Sequence, residues 1–147
     1  MKALLLCLLA LPLLVVSREP EVKESPKTYK VVFEVSVDGV ENWEGALRNA
    51  QNARKALGES ATTVKIVAHG KGIGLLLLTT GMTHPELKKK LQALHGEGVV
   101  FAACENTMAR MKLVKQDLDP AAVTVDSGVA EVVRKQTEGW AYIKSGG

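Results

Sequence analysis

The chain has 147 residues, with 19 Lys and Arg against 16 Asp and Glu and a formal charge of +3. Basic and acidic residues are interspersed and aromatics make up only 4%, which argues against the basic face or stacking platform of a nucleic-acid binder. No nucleic acid is expected as a partner.

Residues 1–17 predict a secretory signal peptide. Lys2 supplies the positive start, residues 3–16 are uncharged and almost wholly apolar, and Val15 and Ser17 suit the −3 and −1 cleavage positions. The run is shorter than the roughly 20 residues of a membrane-spanning helix and contains Pro12, so no stable membrane span is expected after cleavage. A periplasmic or secreted location follows as an expectation. Cleavage would also remove Cys7 and leave Cys104 as the one thiol. Residues 18–28, with two prolines and mixed charges, read as a flexible leader. Residues 29–147 remain for one domain, long enough to bury a sizeable core.

Within that domain, Tyr29 to Ser36 is rich in β-branched residues and predicts a strand, broken at Asp38-Gly39. Trp43, Ala46, Leu47, Ala50, Ala53 and Leu57 then fall on one helical face, with Gly58 placed as a C-cap. Thr62 to Ala68 predicts a second strand, ending at His69-Gly70. Lys71 to Gly81 is ambiguous between loop and buried helical turn. Thr83 and Glu86 have capping-box spacing, and Pro85 suits the first turn of a helix carrying Leu87, Leu91 and Leu94. Gly98 to Ala103 reads as a strand buried on both faces, and Glu105 to Gln116 as a helix. Ala122 to Val125 predicts a fourth strand. Asp126-Ser127 can cap a helix from Val129, and Trp140 to Lys144 predicts a last strand.

This alternation points to an α/β fold of one domain, a mostly parallel sheet of about five strands flanked by helices on both faces, in flavodoxin-like layers. Ligands bind such sheets beyond the carboxyl ends of the strands. That edge should collect Asp38 and Asn42, His69 and Gly70, Cys104 and Asn106, and Asp126 and Ser127; strand order decides which are neighbours.

Cys104 is the leading candidate for chemistry. At a helix start its sulfur would face free N–H groups, which favour thiolate, the form that attacks disulfides and persulfides. Glu105 opposes this, and a lone cysteine can also be a small buried apolar residue. His69 could serve as acid, base or thiolate partner. His84 and His95 read as surface residues. No CxxC or HxxxH pairing suggests a metal, and no cofactor is expected. Gly70, Gly72 and Gly74 lack both the full dinucleotide fingerprint and the closing Lys-Ser/Thr of a P-loop, so a turn explains them better.

The strand end His69-Gly70, the segment Gly98 to Met108 around Cys104, and the stretches Gly128 to Glu131 and Glu138 to Lys144 together resemble the DsrE/DsrF-like sulfur-relay family. The resemblance covers about Tyr29 to Lys144. It implies a compact parallel α/β fold assembled as homotrimers or hexamers, and a cysteine, here Cys104, that carries sulfane sulfur as a persulfide between a donor and an acceptor. It matches His69 to a frequent strand-end histidine. Gly70, Asn42 and Asn106 are candidate ligand-binding residues from their places along the strand-end edge. Relay proteins of the family are cytoplasmic, whereas this chain is expected to be exported. The expected function is an exported sulfur carrier, sulfurtransferase-like if it is an enzyme at all. The alternatives are a non-catalytic oligomeric binding protein with Cys104 structural, or a thiol redox sensor.

Overall fold

The computed structural model describes residues 27–146. The predicted signal peptide and most of the predicted leader lie outside the described residues. Five strands, β1 (Tyr29–Val35), β2 (Thr62–Ala68), β3 (Val100–Cys104), β4 (Ala122–Val125) and β5 (Ala141–Ser145), pair in parallel in the order β4-β3-β2-β1-β5. The helices are α1 (Val40–Leu57), α2 (Leu78–Thr83), α3 (Pro85–Gly96), α4 (Glu105–Met111) and α5 (Gly128–Thr137). The expected α/β layering is what the chain adopts.

Strand order explains which helices share a face. The steps from β1 through β4 all move the same way across the sheet, so right-handed crossovers put their helices on one side. There Trp43, Ala46, Leu47 and Ala50 of α1 and Leu87, Leu91 and Leu94 of α3 pack on Val31, Phe33, Val64, Ile66 and Phe101. Burying each such large side chain stabilises the fold by roughly 1.5–3 kcal/mol. The last crossover runs back from β4 to β5 at the far edge, and α5 therefore falls on the opposite face. It covers Val32, Val67 and Ala102 with Val132.

Three local expectations are corrected. Thr83 does not cap α3: its hydroxyl donates back to the Thr79 and Thr80 carbonyls and closes α2, which ends directly before α3. His84 occupies the N-cap position without a side-chain bond, and Pro85 begins α3. The helix expected to reach Gln116 stops at Met111. Lys112 turns left-handed with φ 56°, which lets Leu113 pack on the core, and the Asp117 carboxylate takes the Val114 N–H. Finally, the strand around Phe101 is buried on both faces only from Phe101 onward, because Val100 is exposed.

The ambiguous segment after β2 is a 3-10 helix over Gly70–Leu76. Its glycines answer to close approach rather than to a phosphate. A Cβ on Gly72 would strike the Val35 carbonyl, and one on Gly74 would strike the Trp43 ring.

An ion pair fastens α5 to the sheet. Lys65 of β2 donates to the Glu131 carboxylate, and Arg134 holds the other oxygen at 3.0 Å. Both partners of the first pair are largely buried. Burial alone pushes the Glu131 carboxyl up, but the Lys65 and Arg134 hydrogen bonds outweigh it and hold it below its ordinary value. A depressed carboxyl stabilises the folded state above its unfolded pKa, and that stability is lost as pH falls through its folded value. Glu131→Gln should therefore cost about 3 kcal/mol at neutral pH and flatten the loss of stability below about pH 4. Denaturant titrations at several pH values read both effects.

Candidate functional site

Side-chain alternation along a strand decides which groups meet at the sheet edge. Glu34 shares the parity of Val32, His69 that of Val67, and Cys104 that of Ala102, so all three belong to the face that α5 covers. His69 lies one residue past β2 in extended backbone, with φ −143°, and so continues the alternation. The strands β1, β2 and β3 are adjacent, and these three side chains collect at their carboxyl ends.

The start of α5 closes over them. A Cβ on Gly128 would lie 2.8 Å from the His69 Cβ and 3.2 Å from the Cys104 Cβ. The two β-carbons are thus within about 6 Å of each other, and only a residue without a side chain fits between. Ser127 accepts from the Ala130 N–H at 3.3 Å and so caps this helix, as its sequence position suggested.

Cys104 is the final residue of β3 and 4% exposed. Burial by itself pushes its thiol up. The Thr107 hydroxyl and the N–H groups of Gly128, Thr107 and Asn106 outweigh it and hold the thiol below its ordinary value. The Gly70 N–H donates to Thr107 Oγ1 at 3.0 Å, which engages an oxygen lone pair and leaves the hydroxyl proton for the sulfur. Glu105 is exposed.

His69 belongs to a second, linked set. Its Nε2 is 2.6 Å from Glu34 Oε1, and the Tyr142 hydroxyl of β5 donates to Glu34 Oε2. Burial pushes the Glu34 carboxyl up, but the Tyr142 and His69 hydrogen bonds and the charges of His69 and Lys144 outweigh it, and the net shift is downward. The bond to Glu34 pushes the Tyr142 phenol up to about 12.

Of the residues singled out by sequence, Cys104, His69 and Gly70 are brought together. Asn106 contributes through its main chain, its N–H lying near Cys104 and 3.3 Å from the Asp126 carbonyl, while the residue itself is exposed. Asn42 lies elsewhere on the edge: its amide donates to the Asp38 carbonyl at 2.6 Å, beside Gly146 at the β1–β5 end. His84 and His95 are exposed. Among the described residues no group of three or more His, Cys, Asp or Glu is placed to hold a metal ion, and no helix is long and apolar enough to cross a membrane.

Sequence reasoning missed Glu34, Tyr142, Thr107 and Gly128 as site residues. Glu34 carried a usable signal, an acid within a largely apolar strand. Thr107 and Gly128 lay within the family-like segments, but no local pattern marked their role, which depends on where α4 and α5 land.

A parallel α/β sheet whose strand end presents a thiol to converging N–H donors defines the class of this protein. A family model described as DsrE/DsrF-like matches residues 27–145, and the chain belongs to that family. Among solved structures, it is similar to a protein of unknown function from Methanobacterium thermoautotrophicum. The two are 33% identical, with a TM-score of 0.72, over 79% of this chain and 98% of that one. No curated protein matches the chain at a significant level.

The thiol environment makes a direct prediction. A hydrogen bond to a charged group contributes about 1.5–3 kcal/mol. Thr107→Val should therefore raise the apparent pKa of Cys104 by about one to two units. It should also cost about 1–3 kcal/mol of stability, because the Gly70 N–H loses its acceptor. The pH profile of Cys104 alkylation measures the first, and thermal unfolding the second.

Proposed function

We propose that this protein is an exported sulfur carrier in which Cys104 holds sulfane sulfur as a persulfide and passes it to an acceptor thiol. The observation that carries the reading is the set of donors around the sulfur, Thr107 hydroxyl and three main-chain N–H groups, which favours thiolate despite burial. Family membership supports a sulfur-relay role. In the forward step the Cys104 thiolate attacks the outer sulfur of a persulfide R–S–SH. A new S–S bond forms to Cys104, the donor's S–S bond breaks, and its electron pair leaves on R–S⁻. His69, within reach of the same edge, is the group that would handle the proton.

Proteins of this family commonly form oligomers, and a homotrimer or hexamer is the assembly proposed here. A periplasmic or secreted location belongs to the same proposal, resting on the apolar run at residues 3–16. The sulfur donor would then be an extracytoplasmic persulfide and the acceptor an extracytoplasmic thiol.

The 4% exposure of Cys104 favours a second reading, a non-catalytic binding protein in which the cysteine is packing. One experiment separates the two. Protein lacking residues 1–17, treated with polysulfide or a low-molecular-weight persulfide, should gain about 32 Da per sulfur at Cys104, and Cys104→Ser should gain none. Absence of any adduct in the wild type, together with unchanged oligomerisation of Cys104→Ser, would establish the packing role instead.

A further inference from the structure

Glu34 and Tyr142 have no part in stabilising the Cys104 thiolate, yet they are built around His69 with both carboxylate oxygens engaged. Glu34 and His69 are 17% and 19% exposed at their side chains, and Glu34 stands in β1 among the buried residues Val32, Phe33 and Val35. An acid so placed costs desolvation free energy unless its bonds compensate. His69 Nε2 binds one oxygen and the Tyr142 hydroxyl the other. The ionisable groups facing Glu34 are His69 from β2 and Tyr142 and Lys144 from β5. The overlying α5 brings Gly128 to this end, and its acid Glu131 is taken by Lys65 and Arg134.

We propose that Glu34 and Tyr142 are positioning residues that hold His69 as the proton donor to the group leaving the sulfur that Cys104 attacks. The proposal rests on the reading of Cys104 as a nucleophile. Because Nε2 is engaged by Glu34, Nδ1 is the ring nitrogen left for the reacting sulfur. As the Cys104–S bond forms and the donor's S–S bond breaks, the electron pair departs on the leaving thiolate. The Nδ1 proton moves to that thiolate, and His69 becomes the neutral Nε2–H tautomer that Glu34 already binds. Water restores the proton. Tyr142 keeps the second oxygen of Glu34 occupied, so the carboxylate cannot rotate away from the ring. Tyr142 is 39% exposed on the edge strand β5, so the device runs from the sheet edge to the thiol.

A proton donor matters only when the leaving group is basic, and this gives a test that does not depend on sulfur carriage. Three small thiol reagents serve as probes: iodoacetamide and methyl methanethiosulfonate release weakly basic iodide and sulfinate, whereas hydroxyethyl disulfide releases a basic alkyl thiolate. Glu34→Gln should slow the reaction with hydroxyethyl disulfide about tenfold or more while changing the other two less than about threefold. Tyr142→Phe should show the same selectivity at smaller amplitude, and Glu34→Asp should restore part of the rate. Combined with His69→Gln, Glu34→Gln should add no further loss, since both act through one group.

Equal slowing with all three reagents, or no slowing with any, would overturn the proposal. Thermal unfolding of each variant identifies any that fail to fold, and Tyr142→Phe, at an exposed edge position, then decides by the same selectivity. Leaving-group selectivity without sulfur uptake from persulfides would sink the carrier reading and keep the proton donor. Sulfur uptake without selectivity would do the reverse.

Discussion

The tightest constraint in the molecule is the approach of α5 to the sheet edge at Gly128. The helix begins against the β-carbons of both His69 and Cys104, closer than any side chain would allow. The Gly128 N–H is then among the donors that hold the Cys104 thiol below its ordinary value. Two strand ends and one helix start therefore share a space set by contact rather than by a loop. The Lys65–Glu131 pair lies one turn along α5 and opposes lifting of the helix from the sheet.

Topology makes that approach possible. The chain crosses the sheet in one direction from β1 to β4 and returns over the other face to β5. The return places one helix on a face where β1, β2 and β3 end in Glu34, His69 and Cys104. The same move delivers Tyr142, because β5 joins the sheet beside β1. One crossover thus adds the Gly128 N–H to the donors that α4 already supplies to the thiol, and brings Tyr142 to Glu34.

The two halves of the site do different physical work. Around Cys104, fixed dipoles offset the cost of burying a charge, and no ionic partner is required. Around His69, a carboxylate holds the ring by a hydrogen bond, and a phenol holds the carboxylate. A thiolate stabilised by neutral donors stays a compact nucleophile. A histidine tied to a carboxylate keeps a defined tautomer. Nucleophile and proton donor then stand within about 6 Å of each other at their β-carbons.

Much of this was legible in the order of residues. Strand and helix alternation followed from periodicity, and the termini of α1 and α5 from Gly58, Ser127 and Gly139, because these depend on local backbone preferences. Cys104 and His69 were legible as strand-end residues for the same reason. Thr83 misled because a capping motif reads alike whether it opens one helix or closes another, and only the adjacency of α2 and α3 decided between them. Asn42 and Asn106 were grouped with the site by their place at strand ends. Distance separated the first, and the second serves through its backbone. What only the tertiary structure decided is strand order. The partner of His69, Glu34, lies 35 positions before it, and Tyr142, which holds Glu34, lies 108 positions beyond that acid. Gly128 meets Cys104 through a crossover that spans the sheet. Such pairings are set by the handedness and packing of whole elements, which no local pattern of residues encodes.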